Sequence, residues 1–116
     1  MMYLDTNIFI YPHTGEGEKA TSCIHILKQV ATEEVKAGTS ILTWDEIQLG
    51  IAKKLKDKVK AVALSKDFLS MTNITFFEAN LQVIEKAQNL TEQYGLAPRD
   101  AIHAATAIIS GADEII

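Results

Sequence analysis

The sequence predicts an α/β domain built on a largely parallel sheet. Two observations predict it. Short apolar, β-prone stretches alternate with longer segments whose apolar residues recur at helical spacing. Three isolated acids, Asp5, Glu46 and Asp100, also stand where a strand or loop hands over to a helix. In an alternating strand–helix fold such junctions gather along one edge of the sheet, where ligands bind.

Tyr3-Leu4 reads as a short buried strand, followed by a loop over 11–17 marked by Pro12, Gly15 and Gly17. A helix is predicted over 18–36, with the stripe Ala20, Cys23, Ile24, Leu27, Val30 and Ala31 on one face and Gly38 as its stop. A second strand follows over 40–42. The next helix starts at Thr43 and turns Trp44, Ile47, Ile51 and Leu55 toward the core. Another helical segment covers 59–69, and the β-rich stretch 73–77 is the third strand. Over 80–94, Val83, Ile84, Ala87, Leu90 and Tyr94 keep helical spacing, and Gly95 terminates the run. Pro98 suits the first turn of a last helix reaching about residue 110. Gly111-Ala112 then lead to a final apolar piece, Glu114-Ile115-Ile116. The chain stops in what reads as mid-strand, so the natural protein is expected to be longer, because a further turn and strand would cover the sheet edge.

The 116 residues fit one domain, and 47% hydrophobic residues suffice for a core. The single cysteine, Cys23, excludes an internal disulfide and suits a reducing compartment. Within its helical stripe it reads as a core thiol. Neither a signal peptide nor a run of about 20 apolar residues is visible, so a cytoplasmic setting is expected. The net charge of −4 argues against holding nucleic acid by bulk electrostatics. A carboxylate site filled by a metal ion can nevertheless bridge to phosphate. Five of the 11 basic residues fall between Lys53 and Lys60, which reads as a solvated helix surface or a phosphate contact.

Converging at one sheet edge, the carboxylates of Asp5, Glu46 and Asp100 would form an oxygen-rich pocket suited to Mg²⁺ or Mn²⁺. Each acid also has a plainer role. Thr43-x-x-Glu46 is a capping-box pattern, in which Glu46 bonds back to the Thr43 amide. Asp100 is favoured by the dipole of its own helix, with Arg99 as a neighbouring partner. Asp5 could cap the turn that follows it, with Asn7. Asp100 heads the run Ala101, Ile102, Ala104, Ala105, Ala107, Ile108 and Ile109, a helix expected to be buried on most sides. His103, three residues after Asp100, is either a further ligand or, more in keeping with its alanine neighbours, a hydrogen-bonded structural histidine.

The chain resembles the PIN-domain nucleases. Tyr3-Leu4-Asp5-Thr6-Asn7 is similar to that family's first strand with its Asp-Thr/Ser-Asn signature. Thr43-Trp44-Asp45-Glu46-Ile47 resembles its second acidic motif, and Pro98-Arg99-Asp100-Ala101-Ile102-His103-Ala104-Ala105 its third. Among small single-domain members, it is similar to the VapC-type toxins of toxin–antitoxin pairs. The resemblance implies a three-layer fold with a central sheet between helices and a metal-dependent ribonuclease acting on RNA. Asp5, Glu46 and Asp100 would hold Mg²⁺ or Mn²⁺, with Thr6 supporting Asp5 through its hydroxyl. It further implies a cognate antitoxin and a homodimer. The family's further acidic motif lies just beyond the stretch Asp113-Glu114-Ile115-Ile116, which this sequence does not pass, and the last strand of the sheet is expected to be missing. One metal ion or none, and poor cleavage of RNA, are therefore expected of these 116 residues.

Two rival readings remain. One is a non-catalytic relative that binds RNA or protein. The other is a metal-dependent phosphatase of another α/β type, which would need an Asp-x-Asp pair where Asp5-Thr6-Asn7 stands.

Overall fold

The computed structural model describes residues 1–15 and 17–116. Among these residues four strands form one sheet: β1 (Met2–Tyr3), β2 (Ala37–Ser40), β3 (Ile74–Phe77) and β4 (Glu114–Ile115). Their order is β3-β2-β1-β4, and every neighbouring pair is parallel. Parallel neighbours need crossover segments, and helices supply them. Among the described residues these are α1 (Asn7–Thr14), α2 (Glu18–Ala31), α3 (Thr43–Leu55), α4 (Lys58–Leu69), α5 (Leu81–Tyr94) and α6 (Pro98–Ser110).

The chain steps outward from β1 to β2 to β3, then returns to place β4 on the other side of β1. The strand order thus reverses at β1, and ligands bind beyond the carboxyl ends of strands at such a point. The apolar piece read as mid-strand pairs with β1 as β4: Ile116 donates its amide to the Tyr3 carbonyl, and its own carbonyl accepts the Asp5 amide. Asp113 sits at the opposite end, where its carboxylate accepts from the Met1 ammonium.

The core divides in two. Leu4, Phe9, Cys23, Ile47, Ile51 and Phe68 belong to one cluster formed with α1 to α4. Val83, Ala87, Leu90, Ala101 and Ala105 form a second between α5 and α6. Met2 packs against the first cluster, while Tyr3 reaches His103 of α6. Adjacent strand residues face opposite sides, so the clusters lie on opposite faces of the sheet. This is the three-layer arrangement expected. Phe68 binds the larger core together, meeting Phe9 and Phe76 edge-on at 5.1 and 5.0 Å between ring centres.

Several expected boundaries move. The loop expected over 11–17 is helical through Thr14, with Pro12 inside α1; residue 16 lies outside the described residues. A proline within a helix costs about 3 kcal/mol. Burying Ile8, Phe9 and Ile10 returns roughly 1.5–3 kcal/mol per side chain, so burial wins. Helix α2 ends at Ala31 rather than at 36, because the chain turns left-handed at Glu33, with φ 61°. Gly38 is therefore not a helix stop. It lies inside β2, where a Cβ would come within 2.4 Å of Phe77 Cε2. The second strand accordingly occupies Ala37–Ser40, earlier than the 40–42 expected.

Trp44, expected in the core, is 38% exposed. Thr43, Ile47 and Ile51 recur every four residues and take the buried stripe of α3, which turns Trp44 about 100° away. Helix α6 is also less enclosed than expected, since Ile108 and Ile109 are exposed. Cys23 is buried, as a core thiol should be. Gly95 ends α5 at φ 66°, in the left-handed region that glycine enters without strain.

Candidate functional site

Asp5 leaves β1 at its carboxyl end, and Glu46 and Asp100 lie in the first turns of α3 and α6. All three line one pocket of about 340 Å³, together with Thr6, Lys53 and Arg99. The close approach of α1 and α3 shapes its floor: a Cβ on Gly50 would stand 2.9 Å from Ile10 Cδ1. Arg99 does not pair with Asp100. Its guanidinium donates to Asp45 at 3.1 Å, tying the start of α6 to the start of α3.

Glu46 does not form the capping box. Helix α3 has no side-chain cap, and the Thr43 hydroxyl bonds Thr39 at 2.8 Å. Glu46 Oε1 instead accepts from the Thr6 hydroxyl at 2.9 Å and from His103 Nε2. Burial by itself would raise the Glu46 pKa. The hydrogen bond and charge of His103, the Thr6 hydroxyl and the charge of Arg99 outweigh it and hold the carboxyl below its usual range. Thr6 therefore supports Glu46 and not Asp5, a correction to the expected pairing.

His103 is buried, and both ring nitrogens are engaged. Nδ1 meets Tyr3 Oη at 2.6 Å, and Nε2 meets Glu46, with Thr6 Oγ1 at 3.3 Å. It is the hydrogen-bonded histidine of the two readings, placed against the site. Burial, eased by bonds at Ser40 and Thr39, pushes the Tyr3 pKa up to about 12.

Tyr3 was legible only as a strand residue. The signal that could have exposed it is its hydroxyl: a tyrosine in a buried strand needs a partner for it. Lys53 was legible only as one of a cluster. Its spacing of seven from Glu46 places both on one side of α3.

The donor set consists of carboxylate oxygens, the chemistry that Mg²⁺ and Mn²⁺ take. Among the described residues, no three His, Cys, Asp or Glu side chains stand close enough together to hold an ion as placed. The residues fit such an ion in chemistry and in sharing one pocket.

The PIN domain family model matches residues 2–115 of the chain. No curated protein matches its sequence. Three solved structures are similar over nearly the whole chain. The VapC20 toxin of Mycobacterium tuberculosis, described as cleaving the sarcin–ricin loop, has a TM-score of 0.79 at 11% identity, over 99% of this chain and 87% of that one. VapBC2 of Rickettsia felis, solved on a DNA fragment from its promoter, gives 0.70 at 24% identity, over 100% of this chain and 87% of that one. A toxin–antitoxin complex of Klebsiella pneumoniae gives 0.66 at 23% identity, over 100% of this chain and 85% of that one. At these identities the likeness is one of fold.

Proposed function

The chain belongs to the PIN-domain family, and from that premise we propose that it is a metal-dependent endoribonuclease, the toxin of a toxin–antitoxin pair. One observation carries the reading: Asp5, Glu46 and Asp100, separated by up to 95 residues, line the same pocket at the carboxyl edge of the sheet. Asp5, Glu46 and Asp100 would hold one Mg²⁺ or Mn²⁺. The chemistry supplied by such an ion is activation of water and shielding of the phosphate charge. Thr6 and His103 fix the Glu46 carboxylate by donating to it. Lys53 lines the pocket and makes no salt bridge among the described residues, so its ammonium can meet an RNA phosphate. No side-chain nucleophile is required.

The experiment is RNA cleavage with Mg²⁺ or Mn²⁺, comparing the chain with its Asp5→Asn variant. Cleavage should vanish in the variant while the circular dichroism spectrum stays the same. Full activity in excess EDTA would overturn the mechanism.

One observation favours a second reading, a domain of this family that binds RNA or protein without cutting: the acids are not gathered around an ion as placed. Mn²⁺ titration separates the two, since only the nuclease reading requires saturable binding that Asp5→Asn weakens.

The solved complexes from Klebsiella and Rickettsia are a toxin–antitoxin complex and a VapBC pair. By the same reading this chain pairs with an antitoxin protein, forms a homodimer and works in the cytoplasm. No helix among the described residues is long and apolar enough to cross a membrane. Sedimentation showing only monomer at tens of micromolar would count against the dimer.

A further inference from the structure

We propose that His103 is a positioning residue, which holds the Glu46 carboxylate in place for a divalent cation through a chain of hydrogen bonds anchored on the backbone of β2. The inference rests on the reading of Glu46 as a ligand given above, and extends it to residues that never touch the ion.

The two ends of the chain are fixed by which groups can donate. The backbone amide of Ser40 can only donate, and it does so to Tyr3 Oη at 3.1 Å. At the other end an ionised Glu46 can only accept. His103 Nε2, bonded to Glu46 Oε1, must therefore carry a proton. Nδ1, on the other side of the ring, meets Tyr3 Oη at 2.6 Å and so ties the imidazole to the first strand. The series runs without a break from the Ser40 amide through the Tyr3 hydroxyl and the His103 ring to Glu46. The Thr6 hydroxyl adds a second bond to the same oxygen at 2.9 Å.

Three features make this a device for position. Ser40, Tyr3, Thr6 and His103 are all buried, so each polar group must be satisfied within the protein. Two of them, Ser40 and Tyr3, lie on paired strands and His103 on α6, so the network joins three separate elements. Both donors take Oε1, and among the described residues no hydrogen bond engages Oε2, which remains for a ligand in the pocket. A glutamate free to sample its rotamers loses that freedom when it binds an ion. Here the loss is taken in folding, which raises cation affinity.

The test is calorimetric titration of the full chain with Mn²⁺ alone, with thermal unfolding recorded for every variant. The side-chain amide of His103→Asn can still reach Tyr3 but is too short to reach Glu46. The amide nitrogen of His103→Gln reaches the former Nε2 position. His103→Asn should weaken Mn²⁺ binding about 10–100-fold, the usual cost of removing a partner behind a metal ligand. His103→Gln should restore most of that affinity. In the Glu46→Gln background, His103→Asn should cost nothing further, since it acts only through Glu46.

Should His103→Asn fail to fold, Tyr3→Phe decides. It is expected to weaken Mn²⁺ binding several-fold, and unchanged affinity would overturn the proposal. Weak binding by Glu46→Gln with wild-type binding by His103→Asn overturns the positioning role alone, as does an additive loss in the double variant. Wild-type binding by Glu46→Gln overturns the ligand assignment and the positioning role with it.

Discussion

Tyr3 Oη and His103 Nδ1 stand 2.6 Å apart although 100 residues separate them in the chain, and both side chains are buried. The pair fastens the first strand to the last helix. It also brings the two ends of the sequence to one place, since Asp5 follows Tyr3 by two residues and Asp100 precedes His103 by three.

Tyr3→Phe keeps the ring and deletes the hydroxyl. It leaves the His103 nitrogen and the Ser40 amide without a partner in a dry environment. An orphaned buried polar group costs about 1–3 kcal/mol. Urea unfolding should therefore show a lower midpoint with an unchanged slope. A midpoint equal to wild type would mean that water or a neighbour replaces the hydroxyl.

Gly38→Ala tests the seam between β2 and β3. The added methyl would come within 2.4 Å of the Phe77 ring, so the ring or the strand must move. Overpacking of this kind costs about 1–3 kcal/mol. A lower melting temperature is expected. Pairing the change with Phe77→Leu should recover part of the loss, and no recovery would locate the strain elsewhere.

His13 supplies the pH dependence. It lies at a cavity lined by Phe9, Leu64 and Phe68, where desolvation and then the charge of Lys60 outweigh Asp67 and lower its pKa. The folded state thus holds the proton less tightly than the unfolded chain, whose histidine titrates near about 6.5. The contribution is fully present above that value and is lost as pH falls through the lower, folded pKa. His13→Gln removes the dependence. The melting-temperature difference between wild type and variant should shift in favour of the variant on going from pH 7 to pH 5. A constant difference would rule out His13 as a source.

The strand-to-helix junctions were legible because their signals are local. Tyr3-Leu4 before Asp5 is a strand signal ending on an acid, and Thr43 with Glu46 and Pro98 with Asp100 each combine a helix-start signal with an acid within a few residues. Helix α1 was not legible, because Pro12, Gly15 and Gly17 outweigh its apolar residues until the surrounding helices bury Ile8, Phe9 and Ile10. Gly38 misled for the same reason: its meaning lies in Phe77, 39 positions away. At the site, Thr6 was placed beside the wrong acid. The sequence puts it next to Asp5, whereas its hydroxyl crosses to Glu46 on α3. Partners set by tertiary contact are the ones that pattern alone does not assign.

Lys53 carries the last prediction. It lines the acid pocket two turns beyond Glu46 on α3, and it also borders an adjoining cavity with Tyr11 and Gly50. A phosphate flanking the cleaved bond would meet its ammonium, and single-stranded RNA offers one phosphate per nucleotide. Losing one such contact should weaken binding without touching the reacting atoms. Lys53→Ala should then raise KM and leave kcat near wild type, the pattern of lost uniform binding. It should also reduce the slope of log affinity against log salt by about 0.7, the share of one phosphate on a single strand. Arg99, held by Asp45, is the control: Arg99→Gln should disturb the start of α6 and so change kcat as well. If Lys53→Ala leaves both KM and the salt slope unchanged, RNA does not cross this side of the pocket, and its track must be sought on the side bounded by α6.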